Sequence, residues 1–220
     1  MSKLLIVANL KSYKNLNESK AWLDVFLKHK DEVQKIENKE IVICPSFPYL
    51  FSFNSAFSES INIKVGAQNI SPFDEGAYTG EVNAKQVKDF AQFVLIGHSE
   101  RRTNFGETDD MLLKKVELSL KYGLSPIFLV QDDGNAIPSG VNVVAYEPVF
   151  AIGSSTPDTP ENADKVSSAI KAKKDYQVLY GGSVSSQNVN SFTGKNNING
   201  VLVGGASLDP EEFIKIIQNA

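Results

Sequence analysis

The chain has 220 residues, enough to bury a substantial core as one domain, and its 22 Lys and Arg against 26 Asp and Glu leave a net charge of −4. That balance gives no support to a nucleic-acid or membrane surface, and no apolar run approaches the length of a membrane span. The single cysteine, Cys44, excludes an internal disulfide or a cysteine-rich zinc site and reads as an inert thiol in an apolar strand. Met1-Ser2-Lys3 leads straight into Leu4-Leu5-Ile6-Val7-Ala8, a run too short for a signal-peptide core, so the expectation is a soluble, cytoplasmic protein.

Short apolar, β-branched runs recur along the chain and predict strands at Leu4–Ala8, Ile41–Cys44, Ile63–Ala67, Phe93–Ile96, Ile127–Val130, Val143–Tyr146, Gln177–Tyr180 and Val201–Val203. Helical periodicity fills the gaps. Trp22, Val25 and Phe26 share a face beside Leu23 and Leu27. Thr108 is placed to cap a helix with Leu113, Val116 and Leu120 on its apolar stripe and Gly123 as its stop. Thr159-Pro160 opens another helix, and Asp209-Pro210 a last one, with Glu212 positioned for a capping box. Strands alternating with helices and no linker between them predict one α/β domain over residues 1–220, and the count of eight favours a closed (β/α)8 barrel over an open sheet. One gap is irregular. Residues 131–142 carry Asp132-Asp133-Gly134-Asn135, Pro138 and Ser139-Gly140, turn residues without helical period, so the helix after the fifth strand should be missing or reduced to a turn.

In a parallel barrel, chemistry gathers at the C-terminal ends of the strands. Asn9 and Lys11 follow the first strand, two apart and able to share an orientation; a lone lysine there also reads as a solvated charge. Gly97-His98-Ser99-Glu100-Arg101-Arg102 follows the fourth. His98, one of two histidines, stands where a strand hands over to a polar segment, and Glu100 is expected to pair with Arg101 or Arg102. Glu147 ends the sixth strand, held extended by Pro148 and followed by Val149-Phe150-Ala151-Ile152-Gly153, an apolar segment able to cover a site. A carboxylate so placed suits a base taking a proton from carbon, with His98 as the acid or electrophile that partners it; alone it also reads as a solvated strand-end Glu. Gly181-Gly182-Ser183 and Gly204-Gly205-Ala206-Ser207 end the last two strands. Glycines there bring backbone N–H groups close to a ligand, which suggests a small phosphorylated substrate.

These blocks, together with Ala67-Gln68-Asn69, Gly76 to Glu81 and Phe105-Gly106-Glu107-Thr108-Asp109, occur in an order and over a span that resemble the triosephosphate isomerase family. The resemblance implies interconversion of dihydroxyacetone phosphate and glyceraldehyde 3-phosphate, in glycolysis and gluconeogenesis, without metal or organic cofactor. It implies Glu147 as the proton shuttle and His98 as a neutral imidazole that polarises the carbonyl. Lys11 would supply positive charge beside Asn9, and Glu100 would organise that region. Gly153, Ser183, Gly204 and Gly205 would grip the phosphate, under a lid of Ala151, Ile152 and Gly153. It also implies a homodimer in which the loop from Gln68 to Thr79 inserts into the partner near Asn9 and Lys11, with Thr79 at its tip.

The chain departs from the family in places. Leu129-Val130-Gln131-Asp132 replaces the usual Cys-Val/Ile-Gly-Glu, Phe150 replaces the lid tryptophan, and Ser154-Ser155-Thr156 replaces Thr-Gly-Lys. Phe150 has no N–H to donate, and its usual glutamate partner is also lost, so the open lid should be held less well; Pro157 stiffens the far hinge by restricting Thr156. A missing fifth helix should expose barrel wall, at some cost in stability, unless a neighbour covers it. Two other readings compete: another phosphate-binding barrel enzyme such as an aldolase, which would want a lysine buried on a central strand where none is evident, and a barrel that binds without catalysis.

Overall fold

The computed structural model describes residues 3–149 and 158–220. Eight parallel strands close into a barrel in chain order: β1 (Leu4–Asn9), β2 (Lys39–Cys44), β3 (Ile63–Ala67), β4 (Phe93–Ile96), β5 (Ser125–Val130), β6 (Val143–Tyr146), β7 (Gln177–Tyr180) and β8 (Gly200–Val203). The predicted strands all form, four with the predicted bounds. Those of β1, β2, β5 and β8 extend by one or two residues at an end, because pairing recruits polar or turn-like residues such as Asn9, Lys39 and Gly200 that carry no strand signal themselves.

Alternation along each strand builds two apolar layers. Leu5, Val7, Val42, Cys44, Leu95, Ile127, Leu129, Ala145, Leu179 and Leu202 fill the barrel, while Ile6, Ala8, Ile41, Ile43, Phe128, Val144 and Val178 pack outward against the helices. Cys44 is fully buried there, and burial pushes its thiol well above the ordinary range, in keeping with an inert role. Gly66 makes room for it: a Cβ added at Gly66 would stand 2.6 Å from Cys44 Sγ.

Among the described residues the helices are α1 (Leu16–Lys28), α2 (Lys30–Gln34), α3 (Leu50–Phe57), α4 (Ala84–Val87), α5 (Ser99–Phe105), α6 (Asp109–Lys121), α7 (Pro160–Lys171), α8 (Val189–Thr193) and α9 (Pro210–Asn219). Trp22 and Phe26 of α1 stack at 5.2 Å and meet Phe53 and Phe213, a buried aromatic cluster joining α1, α3 and α9. Thr108 caps α6 through Met111 N, and Gly123 ends it with φ +78°. The expected apolar stripe of α6 is met at Val116 but not at Leu113 and Leu120. Leu112, Lys115, Val116 and Ser119 face the barrel, and Leu113 and Leu120 are exposed, because a buried lysine and serine interrupt the pattern that hydrophobicity alone displays. Thr159 and Asp209 cap α7 and α9 as expected. Glu212 does not close a capping box: its carboxylate accepts instead from Ser186 N at 2.8 Å and Ser186 Oγ at 3.0 Å, a tertiary partner invisible to local spacing. Capping boxes form at Asn15/Glu18 and Asn83/Gln86.

Residues 131–142 contain no helix. Asn135 Oδ1 accepts from Gln131 N (2.7 Å), Asp132 Oδ1 accepts from Gly134 N (2.8 Å), and Lys174 Nζ donates to Val141 O (2.8 Å). This self-bonded loop covers the barrel with Val141 and Ile137, so Phe128, Val130, Val144 and Tyr146 stay buried. The barrel wall is thus covered by a loop, the condition under which no exposure was expected. No described helix is long and apolar enough to cross a membrane.

Candidate active site

The C-terminal ends of β1, β4, β6, β7 and β8 meet around a cavity of about 290 Å³ lined by Asn9, Lys11, His98, Glu147 and the glycine-rich ends of β7 and β8. Lys11 is the only non-glycine residue with positive φ (+50°) among the described residues, a conformation that costs free energy in any residue with a Cβ. Three bonds hold it. Asn9 Oδ1 accepts from Lys11 N at 3.0 Å, and Lys11 O accepts from Ser46 Oγ at 2.8 Å and Gln68 Nε2 at 2.9 Å. The ammonium so aimed lies 2.5 Å from Glu100 Oε1. The expected pairing of Glu100 with Arg101 or Arg102 is therefore corrected. Arg101 instead binds Glu107 at 2.6 Å and Arg102 binds Asp109 at 2.9 Å, because α5 turns the three side chains toward different neighbours.

His98 is the N-cap of α5, and its Nδ1 accepts from Glu100 N at 3.2 Å. Nδ1 is thus the unprotonated nitrogen, and Nε2–H points at Glu147 Oε1, 3.2 Å away. Burial lowers the imidazole's pKa to about 4, assisted by the Lys11 and Arg101 charges and opposed by Glu100, so the ring is neutral at pH 7. Glu147 is 3% exposed, and burial raises its pKa to about 7 despite the bond from Ser99 N to Oε2 at 3.1 Å. The contact between them is a hydrogen bond from a neutral ring and not an ion pair. A carboxylate in this setting is poised to exchange protons near neutral pH.

The other wall is built for close approach. A Cβ added at Gly182 would stand 2.2 Å from Tyr180 Oη, and one at Gly204 would stand 3.3 Å from Lys11 Cε. The 3-10 turn Gly205–Leu208 is fixed to the core, since Ser207 O accepts from Trp22 Nε1 at 2.9 Å. Ser183 lies with these glycines at the cavity.

The structure thus brings Asn9, Lys11, His98, Glu147, Ser183, Gly204 and Gly205 together, with Glu100 one contact away through Lys11. Thr79 lies exposed on the loop between β3 and α4, off the cavity wall. Ala151, Ile152 and Gly153, with Phe150, Ser154, Ser155, Thr156 and Pro157, lie outside the described residues. Sequence reasoning assigned no role to Ser99, Ser46 or Gln68. Ser99 stands inside a block singled out by its position after a strand and Gln68 inside one that carried the family resemblance, whereas nothing local marks Ser46, which is 35 residues from Lys11. Lys39 is a buried strand lysine that the shorter prediction for β2 left out. Its ammonium meets Ile217 O at 2.6 Å, and it stands at the start of the strand, the end opposite the site, so it does not supply an aldolase-type amine.

The family model described as triosephosphate isomerase matches residues 4–140 and 129–220, two pieces that meet in the loop where the chain lacks a helix. A triosephosphate isomerase of Mesomycoplasma hyopneumoniae (strain 7448) is 39% identical over 243 residues, covering 99% of this chain and 100% of that protein. Those of Hahella chejuensis and Aquifex aeolicus are 38% and 36% identical; the alignments cover 100% and 97% of this chain and 99% and 98% of the relatives. The chain belongs to the triosephosphate isomerase family of enzymes.

Proposed function

We propose that the whole chain acts as one barrel domain that interconverts dihydroxyacetone phosphate and D-glyceraldehyde 3-phosphate through an enediolate. The residue roles are those known for the family, transferred by position. The observation that carries the reading is the buried pair of Glu147 and a neutral His98, 3.2 Å apart, on a cavity that also holds Lys11 and two glycine-rich strand ends. The Glu147 carboxylate takes the proton from the hydroxymethyl carbon of dihydroxyacetone phosphate while His98 Nε2–H stabilises the carbonyl oxygen as it becomes an enediolate oxygen. Return of the proton to the neighbouring carbon, with proton exchange between the two oxygens, yields the aldehyde. A neutral imidazole serves here because an imidazolium 3.2 Å from Glu147 would hold the base as an ion pair and lower its basicity.

Lys11 sets a positive charge beside the substrate, oriented by Asn9 and held by Glu100. Ser183, Gly204 and Gly205 receive the phosphate through close backbone approach, with Gly153 completing the grip and Ala151, Ile152 and Gly153 covering it. The reaction belongs to glycolysis and gluconeogenesis, with the cytoplasm as its compartment. The working unit is a homodimer. Beside Lys11 a second recess of about 330 Å³, bordered by Gln68, Arg101 and Phe105, is open to receive a partner's loop carrying Thr79. That loop is braced where Tyr122 Oη donates to Asp74 at 2.7 Å and, next to Thr79, where Phe73 stacks on Tyr78 at 4.5 Å.

The test is turnover of glyceraldehyde 3-phosphate by the purified chain and by Glu147→Asp, which withdraws the carboxylate by one methylene. Turnover by the wild type with a loss of about 10²-fold or more in the variant is the expected result. A folded wild type without turnover would overturn the isomerase reading. A variant equal to the wild type would remove Glu147 from its role.

A further inference from the structure

We infer that Asp158 is a positioning residue for the base, fixing from outside the barrel the strand end from which Glu147 projects inward. The inference rests on the isomerase reading above and adds to it a residue with no place in the mechanism so far. Asp158 is 6% exposed. Its carboxylate accepts from Tyr146 Oη at 3.3 Å, from Asn162 Nδ2 at 2.9 and 2.8 Å and from Thr159 N at 2.8 Å, while its own N–H donates to Tyr180 Oη at 3.2 Å.

The two tyrosines are the last residues of β6 and β7 and lie opposite each other in the sheet register. Side chains alternate along a strand, so Tyr146 points outward into the helix layer and Glu147 inward to the cavity. The Tyr146 ring is therefore a lever on the peptide that carries the base. The same peptide is tied sideways, with Gly181 N donating to Tyr146 O at 2.8 Å and Glu147 N donating to Val130 O at 2.8 Å. On β7, the Tyr180 hydroxyl lies against Gly182, and the ring stacks on Phe192 at 4.0 Å. One buried residue thus reaches both strand ends, that of the base through its carboxylate and that of the first glycine pair through its backbone N–H.

Among the described residues the donors to Asp158 are a phenol, a carboxamide and a backbone N–H, helped by the N-terminus of α7. Burying a carboxylate among neutral donors is costly compared with an apolar residue of similar size. Stability alone does not call for it, whereas orientation of Tyr146 does. A carboxylate accepts the phenol and the carboxamide together, and an alanine would take this acceptor away from the buried Tyr146 hydroxyl.

Tyr146→Phe, Asp158→Ala and the double variant decide the matter. Each is measured for kcat and KM with glyceraldehyde 3-phosphate, and for the backbone amide resonance of Ser99, whose N–H donates to Glu147 and so reports the base's placement without any substrate. We expect kcat to fall about 10-fold in either single variant with KM within two-fold, and no further in the double variant, because both remove one shared interaction. Asp158→Asn, which keeps one acceptor oxygen, should recover part of the loss. The Ser99 resonance should move in both single variants. If kcat stays within two-fold of wild type and Ser99 does not move, the inference is overturned even where thermal stability drops. If the wild type itself shows no turnover, it is the isomerase reading that fails, and the Ser99 resonance alone decides whether Asp158 places Glu147.

Discussion

Two buried glutamates stand near the α5 end of the barrel and are treated in opposite ways. Glu107 is 6% exposed and shares one oxygen between Lys115, itself 1% exposed, and Arg101. Lys115 also donates to Asn69 Oδ1 at 2.7 Å, so the cluster ties the loop after β3 to α6. Glu147 is as deeply buried, and among the described residues it receives the Ser99 amide and side chain and a neutral imidazole. The first carboxylate is neutralised and made part of the scaffold. The second is left short of positive charge, and its pKa rises to about 7. Incomplete compensation makes a buried acid useful as a base.

The sharpest test of that contrast removes each charge in turn. Glu147→Gln should cost about 10²- to 10⁴-fold in kcat while leaving thermal stability equal or higher, since an undercompensated charge is lost. Glu107→Gln should do the reverse. It strands the Lys115 ammonium, which burial already pushes below its ordinary pKa, and should destabilise the fold by about 3–5 kcal/mol while the folded fraction keeps turnover within a few-fold. Denaturant titration beside kinetics checks both, and a stability loss in Glu147→Gln as large as in Glu107→Gln would erase the distinction.

A pH profile sharpens it further. The folded pKa of Glu147, about 7, lies above its ordinary 4.5, so the stability it contributes is fully present below pH 4.5 and lost as pH rises through 7. The folded pKa of His98, about 4, lies below its ordinary 6.5, so its contribution is present above pH 6.5 and lost as pH falls through 4. Between pH 4.5 and 6.5 the two slopes oppose each other. Glu147→Gln should unmask stability that rises with pH across that window, and His98→Gln stability that falls. In the wild type, kcat/KM should decline as pH drops below about 7, where the base protonates.

The smallest effect concerns the strained lysine. Ser46→Ala leaves Lys11 O with Gln68 alone and should lower kcat/KM by a few-fold, in line with about 0.5–1.5 kcal/mol for one hydrogen bond. A change beyond 100-fold would mean that Ser46 carries more of the Lys11 geometry than one bond can.

The order of elements, the barrel, the shortened connection after β5 and the place of Asn9, Lys11, His98 and Glu147 at strand ends were all legible in the sequence. Apolar runs, turn residues and the polar residues that follow strands are local signals, written within a few positions of one another. Tertiary structure decided what depends on meetings between distant segments. The α6 stripe hid behind Lys115 and Ser119, whose burial makes sense only beside Glu107 and the barrel wall. Glu212 left its own helix end for Ser186, and Glu100 chose Lys11 over its neighbouring arginines. Residues 131–142 cover the barrel through bonds to their own side chains and to Lys174. The raised pKa of Glu147 belongs to no residue type: it follows from removing a carboxylate from water beside a neutral ring, and closure of the barrel creates that environment.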